Sequence, residues 1–158
     1  MDFFELHELE GNLEEVSRTE NRSIDVLYNI NNVTKEDLDT YFWKPFFKIV
    51  IRQATKGKLV TVITEDLNQA INIFADIHHM SKKNFERYND MPRSFVHKKS
   101  GGRYTVYPWH LMSPQFIVKN RFVWTVNVQQ DISEILRPYK EAEDSAVVCL
   151  SIFGINAY

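Results

Sequence analysis

Several residue types and motifs that would point to a specific chemistry are scarce or missing from this sequence. A single cysteine, Cys149, among 158 residues excludes an internal disulfide and a cysteine-based zinc site. No stretch approaches the roughly 18 uninterrupted apolar residues that a membrane span needs. The acidic N-terminus lacks the basic start and the apolar core of a signal peptide. These absences predict a cytoplasmic protein without a membrane partner.

The motifs of well-known catalytic and nucleotide-binding sites are also missing. Neither GxxxxGK[ST] nor GxGxxG occurs, which argues against nucleotide-binding folds of those two types. There is no nucleophile elbow, no HExxH and no convincing pair of catalytic carboxylates. His78 and His79 are neighbours in a predicted helix, where their side chains point about 100° apart and do not converge on one metal. The sequence predicts neither a cofactor nor a metal ion, and it favours a protein that is not an enzyme.

The chain does contain ample material for a hydrophobic core. Its 158 residues are 44% hydrophobic and 13% aromatic, a length and composition typical of one domain spanning residues 1–158. Large rings are also favoured at binding surfaces, because they offer area at little entropic cost. The aromatic content is therefore compatible with a core, a contact surface or a subunit interface.

Charge is distributed unevenly along the chain. Residues 1–40 carry 11 acids and 3 bases, a balance of −8, and residues 131–158 carry 5 acids and 2 bases, a balance of −3. Residues 41–130 carry 5 acids and 14 bases, a balance of +9. Either the acidic ends fold over the basic face and neutralise it, or that face stays open to an anionic partner. The acidic N-terminal third is also suited to a basic partner.

Hydrophobic periodicity predicts alternating helices and strands in the first half of the chain. We expect a helix over FFELHELEGNLEEV, with an edge strand over FFELHEL as the alternative. A strand over SIDVLYNINNV follows, and then a short helix from about Lys35 to Trp43 that Pro45 ends. FFKIVIRQATKGKLVTVITED reads as a β-hairpin that turns at Gly57. A helix capped by Thr64 then follows, with an apolar stripe. The stripe comprises Leu67, Ala70, Ile71, Phe74 and Ile77.

The second half reads mainly as strands. SKKNFERY predicts a further helical piece, SFVHK and RYTVY predict a second hairpin, and QFIV with FVWTVNV predict a third that turns at Asn120. An irregular connector lies between Pro108 and Pro114. A helix capped by Asp131 and disturbed by Pro138 precedes SAVVCLSIF, a covered central strand. We therefore expect an α+β fold, with an antiparallel or mixed sheet of about five to seven strands and helices packed mainly on one face.

The segment 93–124 contains the best candidates for a binding surface. Its turn combines cations with Gly101 and Gly102, whose backbone N–H groups can approach phosphate oxygens, and exposed rings can stack on bases. A protein or the phosphate backbone of a nucleic acid is the expected partner of this basic segment. The candidate binding residues are Lys98, Lys99, Arg103, Tyr104 and Trp109.

Three functional hypotheses follow from these patterns. The first is a non-catalytic binding or regulatory protein that acts through charged and aromatic surfaces, with an inhibitor-type interaction protein as one form of it. The second is a small metal-independent RNA-cleaving enzyme in which His97 and His110 exchange protons with the substrate and Arg103 stabilises the phosphorane. The third is a structural or assembly subunit whose aromatic residues form an interface.

Overall fold

The architecture is a single mixed sheet with helices on both of its faces. The computed structural model describes residues 3–29, 33–90, 93–111 and 121–153. A π-helical turn, Asp39–Trp43, joins the helices Lys35–Leu38 and Lys44–Thr55, and a 3-10 turn, Trp109–Leu111, follows the strand Arg103–Pro108. The elements in chain order are α1 (Phe3–Val16), β1 (Ser23–Asn29), α2 (Lys35–Leu38), α3 (Lys44–Thr55), β2 (Leu59–Thr64), α4 (Leu67–Ser81), β3 (Phe85–Asp90), β4 (Arg93–His97), β5 (Arg103–Pro108), β6 (Arg121–Val126), α5 (Ser133–Glu141) and β7 (Ala146–Phe153).

The sheet has seven strands in the order β1-β7-β6-β2-β5-β4-β3. The first five of these are parallel to one another, and β4 and β3 are added antiparallel at one edge. A parallel strand begins directly after α1, α3 and α5, and α4 begins directly after the end of β2. All four helices therefore run opposite to the parallel strands. The expected α+β class with a mixed sheet is confirmed.

Helices pack mainly on one face of the sheet, as expected. The larger core cluster joins α1, α3 and α4 to the sheet, and it includes Phe42, Trp43, Phe46, Tyr104 and Trp124. The smaller cluster lies under α5 on the opposite face. Every Phe, Tyr and Trp whose side chain the structure describes is buried or half-buried. The described aromatic residues therefore pack mainly in the core, and few of their rings are accessible enough to form a subunit interface.

The predicted hairpin over FFKIVIRQATKGKLVTVITED is wrong in its first half. Residues 44–55 form α3, and only 59–64 form a strand. The buried positions of α3 recur with a helical period that the β-branched residues obscured. They are Phe46, Phe47, Ile49, Val50, Gln53 and Ala54. Gly57 does adopt a positive φ of 94°, but it ends a helix and does not turn a hairpin.

Pro45 does not end the preceding helix, contrary to expectation. The backbone N–H of Lys44 bonds to the carbonyl of Asp39, five residues earlier, within the π-helical turn. A proline lacks the N–H for a normal helical bond and its ring crowds the carbonyl four residues before it. The wider turn directly before Pro45 accommodates that ring, so the chain stays helical from Lys35 to Thr55.

Several local predictions hold and others need correction. The helix over 3–16, strand β1, the β4–β5 hairpin and the covered strand β7 are confirmed. The helical piece over SKKNFERY is wrong, because β3 begins at Phe85 and pairs with β4. Strand β6 pairs with β2 on one side and with β7 on the other. The first arm of the predicted third hairpin, QFIV, and its turn residue Asn120 lie outside the described residues.

The helix starts also differ in detail from the prediction. Asp66, not Thr64, caps α4 by accepting a hydrogen bond from the backbone N–H of Gln69. The apolar stripe of α4 is correct at three of its five positions, since Leu67 and Ile71 are exposed while the other three residues are buried. The N-cap of α5 is Ile132 and not the predicted Asp131, which lies one residue earlier and accepts hydrogen bonds from Ser133. Pro138 lies inside the helix.

Candidate functional site: the basic end of the sheet

Four cations lie at the same end of four adjacent strands. Leu59 of β2 pairs with Arg121 of β6 on one side and with Arg103 of β5 on the other. Lys58 directly precedes β2, and Lys98 directly follows β4. Neighbouring strands are about 4.8 Å apart, so these positions span about 14 Å across the sheet. We call Arg121, Lys58, Arg103 and Lys98 the cation row.

The β4–β5 turn is fixed against the end of α3. The Ser100 hydroxyl donates to the carbonyl of Ala54 at 3.1 Å, and the Arg103 N–H donates to the carbonyl of Lys58 at 3.0 Å. Within the turn, the Ser100 N–H donates to Nδ1 of His97 at 3.1 Å. His97 therefore stabilises the turn that presents Lys98 and Lys99, both exposed, beside the end of α3.

A cleft opens between the end of α1 and the end of α3. It has a volume of about 310 Å³, and Phe122 and Gln53 contribute to its apolar and polar lining. A second pocket of about 310 Å³ adjoins it and shares Lys58, Glu20 and Thr19 with it. We call the first pocket the basic cleft, after its four cations. These are Arg18, Arg52, Lys56 and Lys58.

Glu14 of α1 neutralises one of the cations of the basic cleft. Its two carboxylate oxygens accept from the two terminal nitrogens of Arg52 at 3.0 and 2.8 Å. The hydrogen bond from Arg52 lowers the pKa of Glu14, and the pairing raises the pKa of Arg52. Because the carboxyl pKa is lowered, the pair is present above the ordinary glutamate pKa and is lost as the pH falls through the lowered one. The acidic N-terminal third thus covers part of the basic surface.

The cations also match the electrostatics of the helix ends. The helices run opposite to the parallel strands, so α1 and α3 end beside the cleft, and each C-terminus carries about half a negative charge. Four cations line the cleft, whereas Glu14 and Glu20 supply two negative charges. The two helix ends offset about one more positive charge. This count leaves a net balance of about one positive charge in the cleft.

Arg121 occupies a buried position in the cation row. Its side chain is only 6% exposed, and its Nη1 donates to the hydroxyl of Thr61 at 2.8 Å. Burial lowers the pKa of Arg121, and the charge of Arg103 lowers it further. An arginine remains protonated despite such shifts. The buried guanidinium therefore adds positive potential to the pocket that Arg121 lines.

The structure separates the five candidate binding residues. Lys98, Lys99 and Arg103 lie together at the basic end of the sheet. Tyr104 is 0% exposed, and its hydroxyl lies 2.8 Å from that of Ser81. Burial raises the pKa of Tyr104 to about 12. Trp109 follows the opposite end of β5 and packs against the core under α5, so neither ring belongs to the surface around Lys98.

The two histidines proposed for RNA cleavage are not brought together. His97 ends β4 beside the start of β5, and its N–H bonds to the carbonyl of Gly102 at 2.7 Å. His110 follows the far end of β5, beside Trp109. The six residues of β5 separate the two histidines along the strand, which corresponds to about 20 Å. That separation is too large for both rings to exchange protons with one phosphodiester.

We expect Tyr104→Phe to lower stability by about 1 kcal/mol, because it removes one buried hydrogen bond to Ser81. The same variant should bind any ligand of the basic end with unchanged affinity, since the ring remains in the core. Chemical denaturation and a binding titration check the two parts. A loss of affinity at unchanged stability would restore Tyr104 as a contact residue.

Sequence reasoning missed the cations of the cleft, although a signal was present. Lys44, Lys48, Arg52 and Lys56 recur at four-residue intervals, which is typical of the polar face of a helix. Reading α3 as a strand hid that face. No local pattern links Arg18 to Lys58, because their proximity depends on how α1 and β2 pack.

Other kinds of site receive no support within the described residues. No group of three or more His, Cys, Asp or Glu side chains there is arranged to hold a metal ion. Within the same residues, no helix combines the length and apolar character needed to cross a membrane. No protein-family model matches the chain, and comparison with curated proteins and with solved structures finds no significant match.

Proposed function

We propose that this chain is a binding protein that engages the phosphate backbone of a nucleic acid through the cation row and the basic cleft. The observation that carries the proposal is the convergence of cations from four separate segments on one end of the sheet. These segments are residue 18, residues 52–58, residues 98–103 and residue 121.

The physical basis is sequence-independent attraction between cations and phosphates. Lysine and arginine side chains that neutralise phosphates release condensed counterions, which favours binding and makes it salt-dependent. The members of the cation row that water can reach are Lys58, Arg103 and Lys98, which lie on three adjacent strands and span about 10 Å, given the usual strand spacing. Arg121 is buried and adds positive potential without contacting the ligand. A linear arrangement of this kind suits an extended polyanion better than a small ligand.

The other two hypotheses have less support. RNA cleavage by His97 and His110 would need two groups that lie about 20 Å apart to act on one bond. An aromatic assembly surface would need exposed rings, and the described rings are buried or half-buried. A basic surface of this kind also attracts acidic proteins, and that partner is an alternative outcome of the test below.

We expect Lys98→Ala/Lys99→Ala to weaken nucleic-acid binding about tenfold at low salt. If each lysine contacts one phosphate of a duplex, the double variant should also reduce the slope of log affinity against log salt by about 1.8. Fluorescence anisotropy with labelled random-sequence oligonucleotides, single-stranded and duplex, over a series of salt concentrations measures both quantities.

The matched control is Lys35→Ala/Lys44→Ala. These two lysines are exposed, removing them changes the net charge equally, and they lie at the starts of α2 and α3, away from the cation row. The control should bind nearly as well as the unmodified protein. Equal losses in the two double variants would attribute binding to net charge alone, and no salt-sensitive binding of the unmodified protein would refute the proposal.

A further inference from the structure

We infer that the basic cleft binds a phosphomonoester and that Arg52 releases Glu14 in order to bind it. For a nucleic-acid ligand, this inference rests on the proposed function, and the phosphomonoester is the phosphate group at the end of the nucleic-acid strand. The cation row would then hold the backbone, and the cleft would hold the terminal group. Free phosphate shares the same chemistry and is tested separately below.

The first argument is the geometry of Arg52. Its two terminal nitrogens already hold two oxygens of Glu14 in a fork, at 3.0 and 2.8 Å. Nη2 also lies 3.4 Å from the hydroxyl of Ser17, which lines the cleft. A phosphate presents paired oxygens that fit the same fork. Glu14 thus occupies the position that a phosphate ligand would take.

The second argument is that this exchange is easy. The side chains of Arg52 and Glu14 are 43% and 39% exposed, and an ion pair so accessible to water contributes little to stability. Because the Glu14 side chain is 39% exposed, its carboxylate can turn away from Arg52 and be hydrated in solvent. The cleft can therefore change partners without unfolding any element.

The third argument is charge. A phosphomonoester carries close to two negative charges at neutral pH and three terminal oxygens, whereas a backbone diester carries one charge. Arg18, Lys56 and Lys58 line the cleft around Arg52, so a dianion meets several cations at once. The hydrogen bond from Arg52 lowers the pKa of Glu14 most, and the charges of Arg18 and Lys56 act in the same direction.

The fourth argument is that the cleft is preorganised. Gln53 is 7% exposed, donates to the carbonyl of Ser17 at 3.3 Å and accepts from the indole nitrogen of Trp124 at 2.9 Å. These bonds tie the end of α1 to α3 and to β6. A ligand entering the cleft therefore meets walls that are already in place, which lowers the entropic cost of binding.

The test uses three oligonucleotides of one sequence that carry a 5′-phosphate, a 3′-phosphate or no terminal phosphate. One phosphorylated form should bind the unmodified protein about tenfold tighter than the unphosphorylated form. Arg52→Lys keeps the charge but loses the fork, so it should abolish this gain. Glu14→Gln frees the fork and should enlarge the gain, whereas its neighbour Glu15→Gln, with the same change in net charge, should leave the gain unchanged.

The outcomes separate this inference from the proposed function. If all three oligonucleotides bind equally well, the phosphomonoester site is refuted while backbone binding stands. Equal effects of Glu14→Gln and Glu15→Gln would refute the exchange at Arg52. If no oligonucleotide binds, the proposed function fails, and inorganic phosphate becomes the probe. Backbone amide shifts around Arg52 on adding phosphate, absent in Arg52→Lys, would then support the cleft, and no shifts would refute it.

Discussion

Gly102→Ala should destabilise the protein by roughly 2–4 kcal/mol, because there is no room for a methyl group at this position. A Cβ atom at residue 102 would lie 1.8 Å from the carbonyl oxygen of Ala54 and 2.9 Å from the Cα of Gly57. Both neighbours are backbone atoms, so the strain cannot be relieved by rotating a side chain. Chemical denaturation measures the loss.

The same substitution should weaken ligand binding in the protein that remains folded. The β4–β5 turn must move away from α3 to accept the methyl group, and Lys98 and Lys99 move with it. Binding and stability are thus expected to change together in Gly102→Ala. Lys98→Ala/Lys99→Ala, by contrast, should change binding with stability within about 0.5 kcal/mol, as is usual for exposed positions.

Gly11→Ala is the matched control for this prediction. Gly11 lies within α1, and a Cβ atom there would have no neighbour within 4 Å. Alanine is favoured over glycine inside a helix, so this variant should gain about 0.5–1 kcal/mol. If Gly102→Ala costs less than about 0.5 kcal/mol, Gly102 does not pack closely against the backbone of Ala54 and Gly57.

Gln53→Leu should lower stability by about 2 kcal/mol, because it leaves a buried donor without a partner. The indole N–H of Trp124 donates to Oε1 of Gln53 at 2.9 Å, and both side chains are buried. Leucine would remove this acceptor and also the bond from Gln53 to the carbonyl of Ser17. Thermal or chemical unfolding of the purified variant measures the effect.

A double-mutant cycle tests the cause of that loss. Trp124→Phe removes the indole donor, so Gln53→Leu should cost less in the Trp124→Phe background than in the unmodified protein. The difference should amount to about 1 kcal/mol or more, since an orphaned N–H no longer exists in the double variant. Strictly additive effects would show that the hydrogen bond does not determine the stability at this position.

Part of the fold could be predicted because its signals are local. The helix over 67–81 carries acids before its first turn and an apolar face, and both features act within a few residues. The β4–β5 hairpin has alternating residues on both sides of a glycine-containing turn. Such elements form from contacts that are close in sequence, and so the sequence indicates them directly.

The errors arose where a local pattern fits two structures. KPFFKIVIRQAT is rich in β-branched and aromatic residues, which favour strands, yet it buries a helical face in the protein. Tertiary packing decided between these alternatives, because α3 covers β2 and β5 and supplies four rings to the core with its π-helical turn. A weak propensity of this kind is readily overridden by burial.

The candidate site was predicted only in part, for a related reason. Lys98, Lys99 and Arg103 are close in sequence and lie together around the β4–β5 turn, so their proximity follows from the sequence, whereas their role in binding stays a prediction. Alternation along β5 placed Tyr104 and Arg103 on opposite faces, but which face is buried depends on the helices packed against it. Trp109 was separated from the turn because a six-residue strand extends between them.

The sequence by itself determined three features of this protein: its α+β class, its surplus of positive charge in residues 41–130, and the local turn that presents Lys98 and Lys99. Only the tertiary structure decided where that charge is gathered. Parallel pairing of β2 with both β5 and β6 brings Arg103, Lys58 and Arg121 to one end of the sheet, although Leu59 of β2 is 44 residues from Arg103 and 62 residues from Arg121 in the sequence. Such pairing follows from burying both faces of the sheet, which is a property of the whole chain and not of any segment.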